Sequence, residues 1–124
     1  MPQAYVEHVA LFVSDFQPHL AFFREVLGMD VNRTAGPEEN PRSIWLEGGI
    51  QLLLWPEQEG VEGRLAHLGI MVEDLPEAIE RARAAGARSL PAGNNWLSLP
   101  DGLQIELMQA QNGAVSAARA IRPR

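Results

Sequence analysis

The sequence predicts an α+β fold made of two β-α-β-β-β modules. Three features of each module indicate this: a strand that carries a histidine, a segment with helical spacing, and a closing pair of strands joined by a turn. The length of 124 residues suits one domain over 1–124. We expect the modules at about 4–56 and 64–110.

The first feature is a repeated segment. Residues 7–15 read Glu-His-Val-Ala-Leu-Phe-Val-Ser-Asp, and residues 66–74 read Ala-His-Leu-Gly-Ile-Met-Val-Glu-Asp, so that His8 corresponds to His67. Side chains in a strand alternate between two faces. Each histidine therefore lies on the face opposite the aliphatic residues that flank it, which we expect to form the core.

Each repeated segment is followed by a predicted helix, over 18–27 in the first module and 76–85 in the second. Both segments begin with proline and are followed by glycine, the residues preferred at the first turn and just beyond the last turn. Asp15 and Asp74 precede these segments, and we expect them to cap the helices.

Each module then continues as extended chain. Turn signals, Gly-Gly at 48–49 and Pro-Asp-Gly at 100–102, separate the last two strands of each copy. The predicted strand segments are 30–34 and 43–54 in the first module, and 87–90 and 95–108 in the second.

The composition restricts the class of protein. Cysteine is absent, so any metal must be held by His, Asp or Glu. The net charge is −6 with no basic stripe, which argues against binding to nucleic acid. No apolar run approaches the ~20 residues of a membrane helix, and the pattern of a signal peptide is missing. We therefore expect a cytoplasmic protein that acts on a small molecule.

The repeated histidine and the closing motif Pro-Asp-Gly-Leu-Gln-Ile-Glu-Leu at 100–107 resemble the vicinal oxygen chelate superfamily. The resemblance covers about residues 4–110. It implies a cupped mixed sheet of the glyoxalase/dioxygenase-like type, and a homodimer. The superfamily includes glyoxalase I, methylmalonyl-CoA epimerase, fosfomycin-resistance transferases, extradiol dioxygenases and metal-free drug-binding proteins of the bleomycin-resistance type.

The resemblance also implies a metal site formed by His8, His67 and Glu106. Two imidazoles and one carboxylate leave coordination positions open and suit Fe, Mn, Ni or Zn. We expect one divalent ion per chain, which would polarise a substrate that chelates it through adjacent oxygens. Glu106 is also the expected catalytic residue, acting as the base.

Two alignments leave a fourth ligand open. Matching the two closing turns without a gap puts Leu53 at the place of Glu106, and leucine cannot bind a metal. Matching Ile-Gln-Leu with Ile-Glu-Leu puts Gln51 there instead. A site with a glutamine ligand would resemble that of the epimerases, and a site without a fourth ligand would resemble that of the dioxygenases. A site like that of glyoxalase I would have two His and two Glu. We favour the gap-free alignment, because it requires no shift.

Five large side chains are expected to form an apolar wall for a substrate, namely Phe12, Trp45, Met71, Trp96 and Met108. The predicted function is that of a metal-dependent enzyme acting on a small oxygen-chelating substrate, with lyase, isomerase or dioxygenase chemistry. The alternative is a metal-free protein that binds a small molecule or drug. The intact set of histidines and glutamate favours the enzyme.

Overall fold

A computed structural model describes residues 4–57, 59–60, 63–100 and 102–121. The chain divides into two compact units. The N-terminal unit comprises the described residues of 8–66, and the C-terminal unit comprises those of 67–124 and 1–7. The order of elements confirms the prediction of an α+β chain with two β-α-β-β-β modules.

The first module contains four strands and one helix, which are β1 (Ala4–Val13), α1 (Phe16–Ala21), β2 (Val31–Ala35), β3 (Ser43–Leu46) and β4 (Ile50–Leu54). The helix α1 continues as a π-helical turn, Phe22–Val26, so the predicted helix begins earlier than expected and changes its geometry midway. The strands lie in the order β2-β3-β4-β1. β1 is parallel to β4, and the other pairs are antiparallel.

The second module repeats this arrangement with β5 (Arg64–Val72), α2 (Leu75–Ala84), β6 (Arg88–Leu90), β7 (Gly93–Ser98) and β8 (Gln104–Gln109). Its strand order is β5-β8-β7-β6, again with one parallel pair, β5 and β8. A further short helix, α3 (Ala114–Arg119), follows. Asp101, in the second predicted turn, lies outside the described residues. None of the described helices is long and apolar enough to cross a membrane.

Both helix caps predicted from the sequence are present. The side chain of Asp15 accepts a hydrogen bond from the backbone N–H of Gln17 at 3.1 Å. The side chain of Asp74 accepts one from the N–H of Glu77 at 3.2 Å. These bonds satisfy backbone donors that have no partner within the helix, and thereby fix where each helix begins after its strand.

Each unit has its own apolar core between its strands and its helix. The buried cluster of the N-terminal unit is Val13, Phe16, Ile44, Leu46 and Leu52, and that of the C-terminal unit is Val72, Ile79, Ala87, Leu97, Ile105 and Leu107. Core residues in β4 and β8 alternate with Gln51 and Glu106. Because neighbouring side chains of a strand point to opposite faces, these two polar residues lie on the face away from the helices.

Candidate metal centre

In the C-terminal unit, His67 of β5 and Glu106 of β8 form a pair. Their side chains are 8% and 22% exposed, and His67 Nε2 lies 3.9 Å from Glu106 Oε1. This distance is too long for a direct hydrogen bond. Two ligand atoms that each lie about 2.1 Å from an ion are at most about 4.2 Å apart, so the pair is compatible with a shared metal ion.

Trp96 supports this pair from the neighbouring strand. It pairs directly with Glu106 in the β7–β8 ladder. Its ring also contacts the imidazole of His67 edge-on, with centroids 4.6 Å apart and an interplanar angle of 78°. This contact restricts the rotation of the imidazole. Met71 and Met108 pair with each other two residues further along β5 and β8, so they lie on the same face as Glu106.

In the N-terminal unit, His8 and Gln51 occupy neighbouring strands and are 3% and 5% exposed. Gln51 of β4 pairs with Ala10 of β1, two residues after His8, so both polar side chains lie on one face. Within the described residues, Gln51 Oε1 is buried and accepts no hydrogen bond. A buried polar atom without a partner costs about 1–3 kcal/mol. An amide oxygen that is buried without a hydrogen-bond partner is suited to bind an ion.

The strand registers of the two units can be compared position by position. Each unit has a row of three residues paired across adjacent strands. The Gln51 row is Ala10, Gln51 and Trp45, and the Glu106 row is Gly69, Glu106 and Trp96. In each row the first residue stands two places after the histidine. Gln51 therefore holds in its unit the place that Glu106 holds in the other.

This register corrects the gap-free alignment of the hairpins. Leu53 pairs with Phe12 of β1, two residues beyond the Gln51 row, and so does not occupy the place of Glu106. The reason is the length of the hairpin arms. Both turns enclose three residues, but Trp45 is the second pair from its turn, whereas Trp96 is the fourth. Aligning the turns therefore shifts the strands by two residues.

The remaining predicted wall residues lie in the N-terminal unit. Phe12 contacts Trp55 edge-on, with ring centroids 5.1 Å apart. Trp45 is half-buried, and the guanidinium carbon of Arg33 lies 4.2 Å from the centroid of its ring. Sequence reasoning did not single out Arg33, because its stacking depends on the pairing of β2 with β3, which has an irregular register between Val31 and Arg33.

Comparison with known proteins gives the family. The profile of the glyoxalase-like domain family matches residues 8–108, so the chain belongs to this family. The lactoylglutathione lyase of Salmonella typhimurium is 30% identical in an alignment of 129 positions, which covers 85% of this chain and 92% of that protein. These matches confirm the resemblance to the vicinal oxygen chelate superfamily.

Solved structures confirm the glyoxalase/dioxygenase-like fold. A methylmalonyl-CoA epimerase in complex with methylmalonyl-CoA is similar with a TM-score of 0.63 and 21% identity, over 91% of this chain and 97% of that chain. The 2,3-dioxygenase LapB from Pseudomonas sp. KL28 is similar with a TM-score of 0.60 and 17% identity, over 85% of this chain and 42% of that chain. Relatives and structural neighbours thus include lyase, epimerase and dioxygenase enzymes, and at these identities the structures show the fold alone.

Proposed function

We propose that this protein is a metal-dependent lyase or isomerase that moves a proton next to a carbonyl group of a small, oxygen-chelating substrate. The observation that carries the proposal is the shared register of Gln51 and Glu106. In this register, the amide oxygen of Gln51 is at the place where the gap-free alignment had put Leu53. An amide at this place favours the epimerase-like site over the more open dioxygenase-like site.

The donor set supports metal binding. The resemblance to the superfamily implies that His8, His67 and Glu106 hold the ion, each with one nitrogen or oxygen donor. The buried Oε1 of Gln51, which accepts no hydrogen bond from the described residues, would be the fourth donor. Two imidazoles, one carboxylate and one amide are nitrogen and oxygen donors that suit Mn, Fe, Ni or Zn. A bound divalent ion would polarise the carbonyl of the substrate and stabilise the charge of an enolate.

Glu106, besides being a proposed metal ligand, is the proposed base, a role that it would take by leaving the metal transiently. It is the one carboxylate of the two described rows, and its side chain is more exposed than that of His67. A carboxylate within hydrogen-bond reach of the substrate can take a proton from the carbon next to the carbonyl. A single base returns the proton to the same face of the enolate from which it removed it. The arrangement therefore fits transfer of a proton between adjacent atoms. Inversion at one carbon would need a second acid on the opposite side, so the likeness to the epimerases is one of metal donors and not of the reaction.

Metal analysis tests the first part of this proposal. The protein is purified without chelator, offered Mn, Fe, Ni and Zn, and its metal content is measured. We expect one ion per chain in the wild type, loss in His67→Ala, and retention in His19→Ala, which removes a histidine of α1 outside the proposed site. If the wild type keeps no more metal than His67→Ala, metal dependence is refuted and the alternative of a metal-free binding protein is favoured.

Isotope exchange tests the reaction. The relative and the structural neighbour are named for lactoylglutathione and methylmalonyl-CoA, and both compounds are thioesters with a C–H bond next to the carbonyl. The metal-loaded protein is incubated with each compound in D2O, and deuterium at that carbon is measured by NMR. We expect incorporation into at least one of them. No exchange with either compound in metal-loaded protein would refute proton transfer on thioesters of this kind.

A further inference from the structure

Arg33 lies next to the Gln51 row on the same face of its strands. It pairs with Trp45 across β2 and β3, and Trp45 pairs with Gln51 across β3 and β4. Residues directly opposite each other on adjacent strands share a face. The guanidinium of Arg33, stacked on the ring of Trp45, is therefore on the face that carries the proposed ligand Gln51.

The guanidinium of Arg33 is positioned but not neutralised by the described part of the chain. The aromatic ring beneath it holds it through a cation–π contact. Arg24 and Arg81, by contrast, form ion pairs with carboxylates at 3.6 and 3.2 Å. No described carboxylate forms such a pair with Arg33. Its planar set of N–H donors, which matches the geometry of a carboxylate, is thus available to a ligand.

Two further polar atoms in this row have no partner among the described residues. Trp45 Nε1 is a buried donor without an acceptor, and Gln51 Oε1 is a buried acceptor without a donor. Buried polar groups in proteins are nearly always hydrogen-bonded, and the exceptions call for an explanation such as a ligand or ion. The buried donor Trp45 Nε1 and the cation of Arg33 both suit a polar, anionic molecule, while Gln51 Oε1 is the proposed metal donor.

We infer that Arg33 is a specificity residue that binds a carboxylate of the substrate, at the end away from the chelating oxygens. This inference rests on the proposed function, because the chelating end is placed at the metal. Adjacent strands are about 4.8 Å apart, so the backbones of Arg33 and Gln51 are separated by roughly 10 Å. The substrate class is therefore a small acid whose carboxylate lies a few bonds from its two vicinal oxygens.

Two probes that differ in one carboxylate test this inference. 2-Oxoglutarate has a chelating 2-oxo acid and a distal carboxylate, whereas 2-oxopentanoate has the same carbon chain without the distal group. Binding of each to Mn-loaded protein is measured by calorimetry in the wild type, Arg33→Gln and Arg88→Gln. Arg88→Gln is the matched control, because it removes one exposed arginine from β6 and changes the net charge equally. Manganese affinity is measured in parallel for all three proteins.

We expect the wild type and Arg88→Gln to bind 2-oxoglutarate about tenfold more tightly than 2-oxopentanoate, since a hydrogen bond between charged groups contributes on this scale. Arg33→Gln should lose this preference while its manganese affinity stays unchanged. If the wild type shows no preference, or if Arg33→Gln keeps it, the inference is wrong and the proposed metal site is unaffected. If the wild type binds no manganese, the proposed function fails and this inference fails with it.

Discussion

Gln51 and Glu106 occupy equivalent positions in the two units, each between a tryptophan on one side and the residue two places after a histidine on the other. The two positions differ in charge, because one carries a neutral amide and the other a carboxylate. Two modules with the same backbone arrangement thus place different metal donors, an amide and a carboxylate, at equivalent positions. Of these two equivalent positions, that of Glu106 offers a carboxylate that can act as a base, whereas that of Gln51 offers a neutral amide.

The first prediction concerns this equivalence. Gln51→Ala removes a proposed ligand and should weaken metal binding by at least about tenfold. Loss of a residue that only orients a metal ligand already has an effect of this size, and loss of a ligand itself should have a larger one. Leu53→Ala, two residues along the same strand, is the control and should leave the affinity nearly unchanged. Isothermal titration with manganese measures both. Equal affinities for Gln51→Ala and the wild type would restore a three-ligand site.

The second prediction concerns the base. Glu106→Gln keeps an oxygen donor but removes the carboxylate that would accept the proton. At saturating metal, the rate of deuterium exchange should fall by roughly 10²–10⁴-fold, the usual contribution of a general base. The rate is measured with whichever of the two thioesters the wild type exchanges. Glu73→Gln, which changes a carboxylate just beyond β5, should exchange at the wild-type rate. An unchanged rate in Glu106→Gln would show that another residue takes the proton.

The third prediction uses Trp96 as a reporter. Because its ring lies 4.6 Å from the imidazole of His67, an ion bound to His67 should quench its fluorescence more than that of a distant tryptophan. Trp96→Phe should therefore remove most of the quenching by nickel, and Trp45, beside Gln51, should account for the remainder. Trp55→Phe should retain the quenching. The reverse result, with the response carried by Trp55, would place the ion away from His67.

The fourth prediction concerns stability. Leu97 is 0% exposed and lies in the core of the C-terminal unit. Leu97→Ala should lower the free energy of unfolding by about 2–5 kcal/mol, because it removes buried methyl groups and leaves a cavity. Leu65→Ala, at a residue that is 47% exposed, should have a much smaller effect. Denaturation with urea measures both, and equal losses would contradict the core described above.

Much of the fold could be predicted because its signals are local. The two histidine-bearing strands, the prolines and glycines at the helix ends, and the caps Asp15 and Asp74 are all defined within a few residues. The resemblance carried by His8, His67 and Glu106 gave the family, which the comparisons confirm. The homodimer and the cytoplasmic location stay predictions from the sequence.

The sequence by itself determined the two modules, their helices and the residue types available to a metal. Only the tertiary structure decided that Gln51, and not Leu53, matches Glu106, and that Arg33 stacks on Trp45. The physical reason is that register is set by hydrogen bonds between strands far apart in the chain. A turn fixes the residues beside it, but it does not determine how many pairs separate it from the strand that carries the histidine.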